Sequence, residues 1–158
     1  MELRRLALPI FACAALVACQ STPSDNASSG PAPAAFMASN AQAPGVVSAG
    51  GIEYKVLQSG PADGQHPTPD DDVTVEYEGR LVNGKVFDAT PPGQPVTFQL
   101  GSLIPGWITG LQLMRPGDEW MLWIPPDLGY GAEATGPIPA NSVLAFKLKL
   151  VSVQPHKE

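Results

Sequence analysis

The chain has 158 residues, enough for one domain with appended segments, and 44% of them are hydrophobic. Nine Lys and Arg stand against fifteen Asp and Glu, a net charge of −6. No basic stripe runs through the sequence, so a surface that tracks a phosphate backbone is excluded and no nucleic-acid partner is expected.

Residues 1–18 read as an export signal. Arg4 and Arg5 form a short basic start, Leu6 to Ala18 is apolar, and Leu16-Val17-Ala18-Cys19 closes the stretch. Its thirteen apolar residues rise about 20 Å as a helix, short of the ~30 Å hydrocarbon core, which favours a removable signal over a membrane span. An ordinary signal cut after Ala18 would leave Cys19 as a lone thiol, an unwelcome residue in an oxidising compartment. Leu-Val-Ala-Cys resembles the lipobox of bacterial lipoproteins, which implies a lipidated Cys19 at the mature N-terminus. Cys13, inside the apolar stretch, fits that pattern less well. Gln20 and Ser21 follow with no Asp, similar to Gram-negative signals for the outer membrane, and the periplasmic face is expected. Without residues 1–18, which carry Glu2, Arg4 and Arg5, seven basic and fourteen acidic residues leave a net charge of −7. Acyl chains rather than charge would then supply membrane affinity.

Residues 19–50 are expected to be a flexible tether. Ser, Ala, Pro, Asn, Gln and Gly dominate, Phe36-Met37 is the bulkiest apolar pair, and such a composition buries too little surface to offset its ordering entropy. At ~5–6 Å × √n the tether would span roughly 30 Å. A short helix around Ala32 to Ala43 is the disfavoured alternative, because Pro31, Pro33 and Pro44 bracket it.

Residues 51–155 carry the periodicity of a folded domain. Val73, Val75 and Tyr77 alternate with polar residues, and Leu144, Phe146, Leu148 and Leu150 with Ala145, Lys147 and Lys149, while Trp120, Leu122 and Ile124 share one face of 118–124. These spacings predict half-buried strands, and Tyr54 to Val56 is a further candidate. Asn83-Gly84 between two apolar pairs predicts a two-residue hairpin with positive φ at both positions. Ile104, Ile108, Leu111 and Met114 are spaced for one helical face, with Pro105 suited to a first turn and Arg115-Pro116-Gly117 ending it. Gly106 and Gly110 weaken that helix, so it needs tertiary packing. The fold class expected is α+β, an antiparallel sheet covering one short helix.

The chemistry is carried by aromatic and apolar residues interleaved with glycine and proline across the second half of the chain. No Ser/His/Asp set, Cys/His pair or metal-ligand cluster accompanies them, so no metal and no cofactor is expected. Asp70-Asp71-Asp72 reads as a solvated loop entering a strand, and His66 and His156 as isolated surface residues. What remains is an oily hollow with a single carboxylate, able to bind and distort but ill equipped to break covalent bonds.

Residues from about Ile52 to Val153 resemble the FKBP-type peptidyl-prolyl cis-trans isomerases, most closely their bacterial exported branch. The matching blocks are Val75-Glu-Tyr-Glu-Gly79, Asn83-Gly-Lys-Val-Phe-Asp88, Ile104-Pro-Gly-Trp-Ile-Thr-Gly-Leu-Gln-Leu-Met114, Ile124-Pro-Pro-Asp-Leu-Gly-Tyr-Gly131 and Ile138-Pro-Ala-Asn-Ser-Val-Leu-Ala-Phe146. The resemblance implies a bent antiparallel sheet wrapped around a short helix. It implies Trp107 as the floor on which a substrate proline rests, with Tyr77, Phe87 and Phe146 as aromatic walls. Leu103 and Ile104 would form an aliphatic pair contacting substrate, Tyr130 a phenol that hydrogen-bonds a substrate carbonyl, and Ile138 a flap closing one side. Asp88 would be the buried carboxylate beside the twisting amide. Asp88, Tyr130, Phe87 and Trp107 are the residues to which catalysis is assigned.

The implied activity is rotation of Xaa-Pro bonds in exported polypeptides, inhibited by the macrolides of the family. Such a bond resists rotation by ~18–20 kcal/mol and isomerises unaided in tens to hundreds of seconds. A pocket that binds the twisted amide better than either planar form suffices to accelerate it. The competing reading is a binding module or chaperone that holds proline-containing partners without turnover. Departures from the family pattern fall in loops: the proline-rich Ala89 to Pro95, Val96 where some members carry an aromatic, Pro137, and Ala140 in place of a second proline. The helical dimerisation arm of larger exported relatives is not evident, and a monomer is expected.

Overall fold

The computed structural model describes residues 31–157. The export signal, the lipobox with Cys19 and the first part of the expected tether lie outside the described residues. Seven strands form one antiparallel sheet in the order β1-β2-β6-β7-β3-β4, with β5 also on β3. They are β1 (Val46–Ala49), β2 (Ile52–Gln58), β3 (Asp71–Leu81), β4 (Val86–Ala89), β5 (Val96–Gln99), β6 (Glu119–Ile124) and β7 (Leu144–Pro155). Two helices accompany them, α1 (Pro33–Asn40) and α2 (Pro105–Leu113).

The alternation read from the sequence is the alternation of burial. Val73, Val75, Trp120, Leu122, Ile124, Leu144, Phe146, Leu148 and Leu150 are all buried on one face. The opposite face carries a charge ladder: Glu119 pairs with Lys147 at 2.9 Å and Glu76 with Lys149 at 4.0 Å. On the apolar face lies α2. Pro105 occupies its first turn, where no N–H is needed, and Trp107, Leu111 and the following Met114 point into the core. The two glycines have a steric role as well as a propensity cost. A Cβ on Gly106 would come within 2.4 Å of Ile124 Cγ2, and one on Gly110 within 2.4 Å of Leu122 Cδ2. Helix and sheet therefore meet backbone to side chain along this seam. Beyond the helix, the buried Asp118 carboxylate accepts from the amides of Gly60 at 2.6 Å and Arg115 at 2.8 Å. That ties the helix exit to the loop after β2.

Two expectations need correction. Part of the expected tether is structured: α1 spans Pro33–Asn40 and β1 pairs with β2 from Val46↔Lys55 to Ala49↔Ile52. The bracketing prolines do not prevent the helix, since Pro33 sits at its first turn and Pro44 beyond its end. Asn40 anchors it by donating to Glu53 at 2.7 Å. The two-residue hairpin is also elsewhere. Gly50 and Gly51, with φ of 59° and 85°, join β1 to β2, whereas Val82 to Gly84 form a three-residue loop. There Gly84 N–H donates to Leu81 O, Leu81 N–H donates to Lys85 O, and of Asn83 and Gly84 only Gly84 has positive φ.

The glycine seam sets a sign that helix propensity alone would get wrong. Gly→Ala in an exposed helix gains up to ~1 kcal/mol, but at Gly106 the added methyl meets three atoms of Ile124, which is β-branched and fully buried. Overpacking of this kind costs about 1–3 kcal/mol. Gly106→Ala is therefore expected to lower the urea midpoint at unchanged m-value, and a rise in the midpoint would show that α2 is free to move off the sheet.

Candidate functional site

A hollow of about 240 Å³ opens where α2 meets the β3, β4 and β7 end of the sheet. Trp107 lies at its base, 5% exposed, delivered there by the turn of helix that Gly106 lets down onto the sheet. Three rings meet Trp107 edge-to-face: Tyr77 of β3 at 5.0 Å and 82°, Phe146 of β7 at 5.2 Å and 85°, and Phe98 of β5 at 6.4 Å and 79°. Phe87 of β4 stands perpendicular to Phe146 at 5.5 Å. Such T-shaped pairs fix ring orientation and contribute about 0.5–1.5 kcal/mol each beyond buried area. Gly79 makes the wall possible, because a Cβ there would lie 2.6 Å from Phe87 Cζ and 2.8 Å from Phe146 Cε1.

The polar edge of the hollow comes from a strand irregularity. On β3, Gly79 pairs with Asp88 and Arg80 with Val86, so Phe87 is an extra residue in β4. In a regular strand Phe87 and Asp88 would face opposite sides. A bulge re-aims one of them, and both line the hollow. Asp88 Oδ2 accepts a hydrogen bond from the Tyr77 hydroxyl at 2.6 Å. Burial, then this hydrogen bond, then the nearby Asp88 charge and Tyr130 push the Tyr77 phenol well above its ordinary value of 10.0. It therefore remains a donor throughout the physiological range.

Of the residues assigned from sequence, Tyr77, Phe87, Asp88, Leu103, Ile104, Trp107, Tyr130 and Phe146 all line this one hollow. Leu103 and Ile104 lead into α2, with the Ile104 carbonyl accepting from Trp107 N–H at 3.0 Å. Tyr130 follows the Pro126–Leu128 turn and stands at the rim, 41% exposed. Three placements differ from expectation. Asp88 is exposed at the mouth rather than buried. Ile138 does not line the hollow; it bridges back to Thr135 and its side chain, 5% exposed, joins the core. Phe98 was not singled out from the sequence, although it alternates with Thr97 in a short run after Pro95. Among the described residues no group of three or more His, Cys, Asp or Glu could hold a metal ion.

Comparison with known proteins finds relatives in both sequence and fold. The sequence pattern of the family described as FKBP-type peptidyl-prolyl cis-trans isomerase matches residues 63–151. The chain is 50% identical over 123 residues to the peptidyl-prolyl cis-trans isomerase Mip of Coxiella burnetii, covering 76% of this chain and 53% of that protein. It is 46% identical over 123 residues to the outer membrane protein MIP of Legionella longbeachae, covering 76% and 52%. The chain thus spans about half the length of these curated relatives. The crystal structure of a peptidyl-prolyl cis-trans isomerase from Pseudomonas syringae pv. tomato superposes with a TM-score of 0.72 at 41% identity, covering 78% of this chain and 91% of that one.

The raised phenol has a measurable consequence. As pH climbs past about 10, Tyr77 ionises in the unfolded chain before it does so in the fold, so its contribution to stability is full below that pH and is lost above it. Tyr77→Phe is expected to flatten the alkaline fall in stability measured by urea titration between pH 9 and 11.5. A slope identical to wild type would show that the Tyr77 environment does not hold the proton.

Proposed function

Because the chain belongs to the FKBP-type peptidyl-prolyl cis-trans isomerases, we propose that it accelerates cis-trans isomerisation of Xaa-Pro bonds in polypeptides folding in the cell envelope. The observation that carries the reading is the aromatic hollow over Trp107, edged by the Tyr77–Asp88 pair and by Tyr130. A proline ring seats on the flat face of the indole, and the walls exclude water from the adjoining amide. A twisted amide has less charge separation than a planar one and loses less on leaving water, so an apolar hollow favours the transition state over both ground states. Tyr130, whose phenol no hydrogen bond among the described residues engages, donates to a substrate carbonyl. Asp88, oriented by Tyr77, interacts with the carbonyl of the twisting bond as its electron distribution changes. A macrolide inhibitor of the family would compete for the same hollow.

Anchoring belongs to the same reading. No helix among the described residues is long and apolar enough to cross a membrane, and one relative is named an outer membrane protein. We place the lipid on Cys19, with the domain tethered to the outer membrane on its periplasmic side. Cys19→Ser is expected to move the protein from the membrane pellet to the soluble fraction of a Gram-negative host. Retention in the pellet would remove the anchor from Cys19.

Exchange NMR on an Xaa-Pro peptide with the full chain tests the activity. Wild type is expected to accelerate exchange, and Trp107→Ala and Asp88→Ala to lower kcat/KM at least tenfold, the equivalent of about 1.4 kcal/mol each. Tight peptide binding with uncatalysed exchange would make the protein a binding module, and variants as fast as wild type would remove these residues from the mechanism.

A further inference from the structure

On one edge β3 is paired by β5 through Asp72 to Val75 and by β4 through Glu78 to Arg80, which leaves a gap in the ladder at Glu76 and Tyr77. Tyr77 directs its backbone N–H and C=O into that gap, where both would otherwise lack partners. Thr90 takes both. Its N–H donates to Tyr77 O at 2.9 Å and its Oγ1 accepts from Tyr77 N–H at 3.1 Å. A threonine side chain thus stands in for the missing strand carbonyl.

The local sequence prepares Thr90 for this. Pro91 biases the preceding residue toward extended backbone, the conformation a strand partner needs. The chain then reverses at once: Gln94 N–H donates to Pro91 O at 3.0 Å, with Pro92 and a positive-φ Gly93 between them. Two residues before Thr90 is Asp88, whose carboxylate accepts the Tyr77 hydroxyl. The three-residue segment 88–90 therefore grips Tyr77 at its N–H, its C=O and its hydroxyl, fixing strand and phenol against the same short piece of chain.

We propose that Thr90, which lies outside the hollow, is a positioning residue for isomerisation: by completing the β3 edge at Tyr77 it sets the distance between the Tyr77 phenol and the Asp88 carboxylate. The proposal rests on the isomerase reading above. Thr90→Val keeps the branched shape and the backbone donor but loses the acceptor, leaving the Tyr77 N–H unpaired. It is expected to lower kcat about tenfold at nearly unchanged KM, because substrate still finds its apolar floor while transition-state contacts loosen.

Exchange NMR with the full chain reads this directly. Thr90→Ser, which restores the hydroxyl, is expected to recover most of the rate. In a Tyr77→Phe background, with no hydroxyl left to aim, Thr90→Val is expected to cost less than twofold. Wild-type kcat in Thr90→Val, or the same loss with and without the Tyr77 hydroxyl, overturns the proposal. If Thr90→Val does not fold, Thr90→Ala against Thr90→Ser makes the same comparison, and equal rates for those two overturn it. A wild-type protein that binds the peptide without catalysing exchange refutes the isomerase reading instead. The positioning claim is then decided by NOEs between the Tyr77 ring and the Asp88 β-protons, which weaken in Thr90→Val if it holds and overturn it if unchanged.

Discussion

The site depends on how closely α2 can lie on the sheet. Gly106 and Gly110 are four residues apart and so share one helical face, and on that face the space of two side chains is filled by Ile124 and Leu122. Each glycine costs the helix about 1 kcal/mol in propensity relative to alanine, and nine residues are too few to persist alone. The compensation is burial. Leu111 and Met114 are fully buried, worth about 1.5–3 kcal/mol each, and they reach that depth because the glycines let the helix down. Trp107, next to Gly106, is carried down with them. The floor of the hollow is thus a consequence of the seam.

The indole illustrates how the balance is struck. Its Nε1 is buried without a hydrogen-bond partner among the described residues, a cost of about 1–3 kcal/mol. Three edge-to-face contacts, at about 0.5–1.5 kcal/mol each, offset most of that cost or all of it. A phenylalanine would avoid the orphan donor but offer a smaller plane. The indole is consistent with a floor that needs a large flat face in a fixed orientation more than it needs the last kilocalorie of stability. The polar edge follows the same economy of parts, since one bulged residue in β4 brings Phe87 and Asp88 to the same side without a further element.

Periodicity made much of this legible. The inward faces of β3, β6 and β7 follow directly from alternation, and α2 from its apolar spacing with Pro105 at the start. The resemblance supplied the roles, and eight of the residues it pointed to share one hollow. What escaped did so for physical reasons. The α1–β1 segment has neither charge nor periodicity, and its order comes from partners distant from it in pattern: Glu53 for Asn40, and β2 for β1. Gly50-Gly51 is as good a two-residue hairpin signal as Asn83-Gly84, but it straddles the boundary drawn between tether and domain, with no periodic strand expected before it. Bulges such as that at Phe87 leave no trace in composition, because one extra residue changes pairing without changing the pattern around it. Phe98 occupies a strand of four residues, too short for alternation to stand out. The exposure of Asp88 and the core placement of Ile138 depend on how the loops close, which spacing does not encode.

That exposure bears on the order of events at the site. Asp88 and Tyr130 stand at the mouth, where water screens charges and competes for hydrogen bonds, so on the proposed reading neither would discriminate strongly between planar and twisted amides in the open hollow. The hydroxyl of Tyr77 already holds one carboxylate oxygen, which limits how far Asp88 can turn. On that reading, a peptide settling on Trp107 would cover the mouth with its own chain and lower the local dielectric, and the same groups would then act more strongly on a nearby carbonyl. On the proposed reading, apolar binding precedes polar discrimination and makes it effective. The floor and walls would govern whether substrate is held, and the rim would govern how much faster the held bond turns. A barrier of ~18–20 kcal/mol lowered by ~1.4 kcal/mol per tenfold in rate can be reduced stepwise by such contributions, none of which requires a bond to be made or broken.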